Sequence, residues 1–472
     1  MTDRRPDAYS DPLTERYASP EMSKVFSARF KFETWRRLWV ILAEEEKKLG
    51  LPISNEAIEQ MRAKVSQIDF DAAASHEKET RHDVMAHVKT FAQAAPAAAG
   101  ILHWGATSAF VADNGDLIQM REGLRLLEGR IASFLRKLRG FAWKHRSLAC
   151  LAYTHFQPAQ PTTVGKRACL WAQDFLWDLQ EIGRVREGLR FLGAKGATGT
   201  QASFLSLFSG DSARVEALDR AVTERAGFSR RQIVSGQTYS RKQDSFVLSS
   251  LSGFAQSAHK CATDLRLLQH EGEVEEPFLK TQIGSSAMPY KRNPMRAERA
   301  CAIARHVIAL SLEPALTAAT QWLERTLDDS ASKRLSTAAA FLSCDSIALI
   351  LDEIFEGVEV HPAVIAANLE RELPVLASEN ILMEAVRRGG DRQQLHEALR
   401  VLSREAAGGE TASLAEKIAA DPRFRMTVDE ARAAAHAGLT GRSAEQVEIF
   451  VREELDPALA RVEAAEPEGL RV

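Results

Sequence analysis

Residues 247–268 read VLSSLSGFAQSAHKCATDLRLL. After Val247, apolar side chains recur at alternating spacings of four and three residues, at Leu251, Phe254, Ala258, Cys261, Leu265 and Leu268. That spacing places the apolar side chains along one face of a helix, as in the seam of a coiled coil. The stretch therefore predicts a long helix that buries one face against other helices.

Four other stretches repeat the helical spacing, at residues 117–138, 175–192, 295–320 and 334–358. Helices of about 20 to 35 residues cannot bury such apolar faces alone, so we expect them to pack as a bundle. Their length also favours helix contacts between subunits. We therefore predict an elongated all-α fold with a central long-helix bundle in an oligomer.

The patterns on either side of this bundle are different. Residues 1–107 mix short helical patterns with polar connectors, and beyond residue 361 the helical patterns become shorter again. A length of 472 residues is compatible with about three domains. We predict an N-terminal helical domain at 1–107, the long-helix bundle at 108–360 and a C-terminal helical domain at 361–472.

The composition excludes several classes of protein. The chain has 61 Lys and Arg against 64 Asp and Glu, so its net charge of −3 attracts neither nucleic acid nor a membrane surface. No signal peptide is visible at the N-terminus, and no uninterrupted apolar run approaches the ~18 residues of a membrane span. The five cysteines are widely spaced without a CxxC pair, which is typical of reduced thiols in a cytoplasmic protein.

A polar loop is expected at residues 284–294, which read GSSAMPYKRNP. Gly284 frees the backbone, and Pro289 and Pro294 interrupt any helix. Such a loop presents backbone N–H groups, hydroxyls and cations, which suits an anionic small molecule. A solvated polar connector is the alternative, and composition alone leaves both open.

Two histidine segments are candidates for chemistry. His82 and His87 are five residues apart, which is not the i,i+4 spacing of a helical metal site, and no HExxH is present, so no metal site is predicted. His155 precedes Pro158 and Pro161, which predicts a chain reversal. A histidine fixed there could serve as a general acid near neutral pH, and a purely structural role stays open.

Two further segments are candidates for anion-binding sites. Residues 193–201, GAKGATGTQ, lack the GxxxxGK[ST] pattern and a βαβ context, which excludes nucleotide hydrolysis and dinucleotide binding. Residues 325–334, RTLDDSASKR, carry arginines that could pair with phosphate or carboxylate, together with Arg299 upstream. A solvated, charged helix start is the alternative. No GxSxG is present, so a partner for Ser285 must be distant in sequence or come from another chain.

Together these segments resemble one family. The loop at 284–294 resembles the signature of the fumarase/aspartase superfamily, whose members eliminate fumarate from succinyl-bearing substrates. Within that superfamily, further blocks are similar to the adenylosuccinate lyase family, at residues 81–84, 154–160, 236–239 and 325–330. The likeness extends from residue 16 to the C-terminal helical unit.

The resemblance implies three α-helical domains in a homotetramer, with each active site built from three subunits and no metal, flavin or nicotinamide. It also implies elimination of fumarate from adenylosuccinate and from the succinylated aminoimidazole carboxamide ribotide (SAICAR) of purine synthesis. Ser285 matches the base that removes a proton from the succinyl group, and His155 matches the acid that protonates the leaving nitrogen. Whether Ser286 shares the role of the base stays open.

The family's substrate-binding positions also map onto this chain. Those that hold the 5′-phosphate and ribose match Arg16, Tyr17, Arg325, Ser330 and Arg334. Those that bind the succinyl end match Thr107, Ser108 and Gln237. Those that stabilise the carbanionic intermediate match Lys291 and Asn293, and further substrate-contacting positions match Arg81, His82, Asp83 and Arg299.

Two alternatives accompany this interpretation. A sister enzyme such as an argininosuccinate lyase would act on a substrate without phosphate, which would leave Arg16, Arg325 and Arg334 without an evident purpose. A catalytically silent structural homologue is the other alternative, and the joint presence of Ser285, His155 and the loop lysine argues against it.

Overall fold

The computed structural model describes residues 7, 9–279, 281–376, 378–407, 413–463 and 465. The first part of the chain forms α1 (Pro20–Val25), α2 (Ala28–Lys48), α3 (Asn55–Ala63), α4 (Phe70–Thr80) and α5 (Asp83–Ala94), with helical turns at Leu13–Tyr17 and Pro96–Ala98. Trp39 of α2 packs against Phe91 of α5, with the ring centroids 6.1 Å apart. Both side chains are buried, so these helices share an apolar core.

The long helices of the bundle follow. The middle of the chain forms α6 (Ser108–Lys144), α7 (Val164–Gly188), α8 (Ala202–Leu207), α9 (Ser212–Arg225), α10 (Lys242–His270), α11 (Met295–Leu310), α12 (Leu312–Thr320) and α13 (Asp329–Gly357). Phe175 of α7 lies 4.8 Å from Phe134 of α6 and 5.9 Å from Phe254 of α10, measured between ring centroids. Phe254 belongs to the predicted apolar seam of α10, whose members are all buried. The predicted all-α fold is confirmed.

The single helix predicted at 295–320 is wrong, because the structure divides this stretch into α11 and α12. Pro314 explains the break: it lacks an N–H, and its ring would collide with the carbonyl four residues earlier in a continuous helix. By length and mean hydropathy alone, Met295–Thr320 would suffice to cross a membrane. However, Ala297, Ala300 and Ala304 are fully buried where α11 packs against its neighbours in the bundle, so its apolar residues serve a core helix.

Two small antiparallel sheets interrupt the helices. One pairs β1 (Ala149–Thr154) with β2 (Gln157–Thr163), and the other pairs β3 (Val274–Glu275) with β4 (Glu359–Val360). The turn between β1 and β2 contains His155 and Phe156, whose φ values of 54° and 58° are left-handed. The predicted chain reversal at His155 is therefore confirmed, while the strands on either side of it were not predicted.

The last part of the chain forms α14 (Pro362–Leu376), α15 (Ser378–Arg387), α16 (Arg392–Ala407), α17 (Leu414–Ala420), α18 (Val428–His436), α19 (Ser443–Phe450) and α20 (Asp456–Leu459), with a helical turn at Val451–Leu455. Ala385, Ile418 and Phe424 are fully buried in an apolar core separate from that of the bundle. Val447 and Val451 return to the bundle core. The domain boundaries at residues 107 and 360 stay predictions.

We predict that Glu46 of α2 makes stability depend on pH. Its side chain is fully buried, and neither carboxylate oxygen has a hydrogen-bond partner among the described residues. Burial raises the pKa of Glu46 to about 8, so the folded chain keeps a proton that the unfolded chain releases near pH 4.3. Between these pH values the free energy of unfolding should therefore fall with rising pH, by about 1.4 kcal/mol per unit.

The substitution Glu46→Gln should abolish this decline and raise the unfolding midpoint at pH 8. The measurement is thermal unfolding at pH 6 and pH 8, at one protein concentration. Glu59→Gln, at an exposed carboxylate on α3, is the matched control and should keep the native pH dependence. Equal pH dependence in the native chain and Glu46→Gln would contradict the prediction.

Candidate active site

A cavity of about 670 Å³ opens at the end of the bundle where α5, α6 and α13 begin. Eight of the predicted substrate-binding residues line it: Arg81, His82, Asp83, Ser108, Gln237, Arg325, Ser330 and Arg334. Thr107 directly precedes Ser108, at the cap position of α6. Helix N-termini carry unpaired N–H groups and a partial positive charge, so three of them around one cavity favour an anion.

Polar contacts join the chain segments around this cavity. Arg325 Nη1 donates hydrogen bonds to Gln237 Oε1 and, at 3.5 Å, to Ser108 Oγ. The Gln237 N–H donates to the Glu324 carbonyl at 2.9 Å, which brings two distant segments of chain together. This approach requires a glycine, because a Cβ on Gly236 would lie 2.3 Å from the Glu324 carbonyl oxygen.

A network of buried charges forms the floor of the cavity. Arg241, just before α10, donates to Asp113 of α6 at 3.0 and 3.1 Å and to Asp329 of α13 at 2.5 Å. Lys333 of α13 pairs with Asp116 of α6 at 2.7 Å. Burial raises the pKa of Asp113, but the charges of Arg241 and Lys333 outweigh it and hold that pKa below its usual range. The network therefore stays ionised and ties the starts of three helices together.

The segment before α5 contributes the histidine of the cavity. His82 caps α5, since its Nδ1 accepts a hydrogen bond from the Met85 N–H at 3.4 Å. Arg81 ends α4 in a left-handed conformation, with φ of 53°. Asp83 pairs with Arg334 Nη2 at 3.0 Å, which connects α5 to α13. The result is an exposed imidazole beside two arginines.

Arg16, Tyr17 and Arg299 form a second group, and none of the three lines the cavity. The guanidinium carbons of Arg16 and Arg299 lie 6.0 and 5.4 Å from the centroid of the Tyr17 ring. The Ser19 N–H donates to Asp345 of α13 at 2.7 Å. This buried hydrogen bond holds the N-terminal segment against the bundle.

Ser285 lies in the polar loop between β3 and α11. Its Oγ accepts hydrogen bonds from the N–H groups of Ala287 and Met288, at 3.3 and 3.1 Å. Asn293 Nδ2 donates to a backbone carbonyl across the loop at 2.8 Å, and Lys291 is exposed. The loop thus holds a hydroxyl, an ammonium and an amide close together in sequence.

The loop is attached to the end of α10 by Arg292. Its Nη1 pairs with Glu275 at 2.8 Å, and its carbonyl accepts from Gln269 Nε2 at 3.1 Å. The side chains of Glu275, Glu359 and His361 each bring a possible metal ligand within 4.8 Å of the others. Arg292 already supplies a positive charge to this group, so its charge balance does not require a metal.

His155 is exposed at the tip of the β1–β2 hairpin. Two residues earlier, Tyr153 lies near Glu271 and Glu273, which directly follow α10. Burial, together with these two carboxylates, raises the pKa of Tyr153 to about 12. The hairpin therefore lies at the same end of α10 as the loop that carries the predicted base.

The cavity lies at the opposite end of the bundle. Ser108 begins α6, and the hairpin follows the far end of this 37-residue helix, about 55 Å away. Ser330 lies on the first turn of α13, and Glu353, about six turns or 35 Å further on, contacts Arg296 at 2.6 Å, just beyond the loop. One chain therefore does not bring Ser285 or His155 to the cavity.

Several residues of the cavity were given no role by the sequence analysis. Asp329 and Lys333 lie within the quoted segment 325–334, and the others lie outside every quoted segment: Lys31, Glu77, Asp113, Asp116 and Arg241. For some of them, the sequence contains a pattern that could have predicted their place in the site. Asp113 and Asp116 are one turn apart in the apolar start of α6, where carboxylates would be costly without cationic partners. Lys31 lies in an amphipathic helix and gave no such signal.

Comparisons with known proteins identify lyases as relatives over most of the chain. The sequence profile of the lyase family matches residues 15–309, and that of the adenylosuccinate lyase C-terminus matches residues 374–450. A 3-carboxy-cis,cis-muconate lactonizing enzyme from Pseudomonas putida shares the fold, with a TM-score of 0.82 at 22% identity over 96% of this chain and 100% of that one. A fumarate lyase from Mesorhizobium gives a TM-score of 0.80 at 22% identity, covering 96% and 99% of the two chains.

Closer relatives decide the family. The adenylosuccinate lyase of Saccharomyces cerevisiae is 50% identical over 463 residues, and that of Schizosaccharomyces pombe is 48% identical over 463 residues. In both cases the match covers 96% of this chain and 96% of the relative. The signature loop, the full-length match and the all-α fold agree: the chain is a lyase of the fumarase/aspartase superfamily and belongs to the adenylosuccinate lyase family.

Proposed function

We propose that this lyase eliminates fumarate from adenylosuccinate, giving AMP, and from SAICAR, giving the corresponding amide, in purine biosynthesis. The observation that carries the proposal is the cavity at the start of α13, where Arg325, Ser330 and Arg334 converge. Arginines, a hydroxyl and helix N-termini suit a phosphate monoester, which both substrates contain. Argininosuccinate has no phosphate, so a site built for it would not need this arrangement.

The proposed chemistry uses the loop and the hairpin. The two N–H groups that donate to Ser285 Oγ would stabilise negative charge on that oxygen, which favours its role as the base. Lys291 and Asn293 would stabilise the carbanion that forms beside the succinyl carboxylate. His155, on a rigid turn, would protonate the leaving nitrogen.

We also propose a homotetramer in which three subunits build each active site. Two features support it. The cavity, the Tyr17 group and the Ser285 loop are separate in one chain, although the proposed chemistry needs them together. Large apolar side chains on bundle helices are also exposed, including Trp177 of α7, Phe246 of α10, Leu312 of α12 and Leu335 of α13. Exposed apolar surface of this kind indicates protein contacts.

We place the enzyme in the cytoplasm, where small-molecule nucleotide substrates are its partners. Its five cysteines are all buried and unpaired. Unpaired thiols suit a reducing compartment. A net charge of −3 gives it no general affinity for nucleic acid or anionic membranes.

The first test of the proposal is fumarate release. The purified chain should release fumarate from adenylosuccinate and from SAICAR, and not from argininosuccinate. Ser285→Ala and His155→Ala should each lower kcat by about 10²–10⁴-fold, because each removes one proton-transfer group. Ser286→Ala tests whether the neighbouring hydroxyl shares the role of the base: a near-native rate would assign that role to Ser285 alone. Preference for argininosuccinate would contradict the substrate assignment, and near-native rates in both variants would contradict the catalytic assignments.

The second test addresses the shared active site. Ser285→Ala and His155→Ala subunits, mixed under conditions that exchange subunits, should regain part of the activity, because some hybrid sites receive both native groups. The assay is fumarate release before and after exchange, with hybrids counted by native mass spectrometry. Abundant hybrids without any recovery would exclude a site that draws Ser285 and His155 from different subunits.

A further inference from the structure

Lys31 lies on the first turn of α2, and its side chain lines the cavity beside Asp83, Asp116 and Arg334. The same side chain also lines a smaller cavity of about 160 Å³ behind it, between α2, α6 and α13. Its ammonium group is therefore part of the wall that closes the larger cavity. It is half-buried rather than projecting into solvent.

Lys31 has no carboxylate partner among the described residues. The contacts of its Nζ are with aromatic faces, 5.5 Å from the Phe32 ring centroid and 5.0 Å from that of Trp35. The two nearby carboxylates are committed elsewhere: Asp116 to Lys333 at 2.7 Å, and Asp83 to Arg334 at 3.0 Å. The cavity thus presents a positive charge that the protein itself does not neutralise.

An unneutralised ammonium in such a place costs free energy. Burial lowers the pKa of Lys31; Arg334 and Lys333 lower it further, while Asp116 and Asp83 oppose the shift. An anion in the cavity would supply the missing partner and would be bound by a charge-assisted hydrogen bond. The unpaired ammonium therefore destabilises the empty cavity, and binding of an anion there would recover that free energy.

We propose that Lys31 is a specificity-determining residue that binds the phosphate of the nucleotide substrate. The proposal rests on the proposed function for the identity of the nucleotide. A phosphate is favoured over a succinyl carboxylate because Arg334, beside Lys31, faces the same cavity as Arg325 and Ser330 at the start of α13. Lys31 would take part in binding, and not in the proton transfers.

The experiment compares AMP with adenosine, which differ only by the phosphate. Lys31→Met keeps an unbranched side chain that is one atom shorter and removes its charge. In the full-length oligomer, calorimetry should show AMP binding weakened by about 10-fold or more, with adenosine binding within about twofold of the native value. KM for adenylosuccinate should rise while kcat changes little.

A thermal measurement separates this role from a structural one. Without ligand, Lys31→Met should unfold at the native temperature or above it, because the substitution removes an unpaired buried charge. Inorganic phosphate should stabilise the native enzyme more than the variant. Loss of stability in the ligand-free variant, with an unchanged response to phosphate, would overturn the proposal.

Two controls complete the design. Lys89→Met removes a partly exposed lysine of α5 that pairs with Glu79 at 3.4 Å, and it should change neither AMP nor adenosine binding. Lys31→Arg should retain most of the discrimination between AMP and adenosine. If Lys31→Met weakens fumarate binding and leaves AMP binding intact, the residue serves the succinyl group and the phosphate assignment is wrong.

The design also separates this inference from the proposed function. If the native enzyme binds AMP no more tightly than adenosine, the cavity does not bind the phosphate, and the proposed function loses its main support. If the native enzyme discriminates and Lys31→Met discriminates equally well, only the role of Lys31 is overturned.

Discussion

The ion pairs of Arg241 determine the geometry of the cavity. One guanidinium, just before α10, holds Asp113 of α6 and Asp329 of α13 at once. All three side chains are buried, and loss of Arg241 would leave two buried carboxylates without the cation they share, at a cost of about 3–5 kcal/mol. The contacts keep the starts of three long helices in one place. The helix N-termini and the side chains around them then form a site that attracts anions.

The sequence predicted the bundle because its signal is local. The seam from Leu251 to Leu268 repeats over about three heptads, and helical periodicity of that length needs no knowledge of the partner helices. The break at Pro314 was visible in the sequence but was outweighed by the apolar pattern on both sides of it. The short strands beside His155 were missed, since two prolines within seven residues of β2 argue against a strand unless it lies at an edge.

The site was predictable only where a motif marks it. Arg325, Ser330 and Arg334 stand out as a group of cations and a hydroxyl. Lys31 resembles an ordinary charged position of an amphipathic helix, and Arg241 an ordinary polar residue just before one. Their burial results from packing between helices that are distant in sequence, and a single sequence does not encode that packing in any local pattern.

The rigidity of the bundle explains why its functional groups are separated. Because α6, α10 and α13 all begin at the cavity, whatever follows them in the chain lies tens of ångströms away. A helix cannot shorten that distance, which supports the proposal that neighbouring chains supply Ser285 and His155 to the cavity. The long helices that prevent a complete site in one subunit also present the apolar faces that would bring subunits together.

Charge pairing gives the cavity its selectivity, and net charge does not. The cavity is lined by six cationic and five acidic side chains, in a chain that is almost neutral overall. Most of the acidic groups serve as partners for Arg241, Lys333 and Arg334. Among the described lining residues, Lys31, Arg81 and Arg325 are left without a carboxylate partner. A small anion can therefore bind to local positive charge at a fixed position, while the nearly neutral chain as a whole does not attract polyanions.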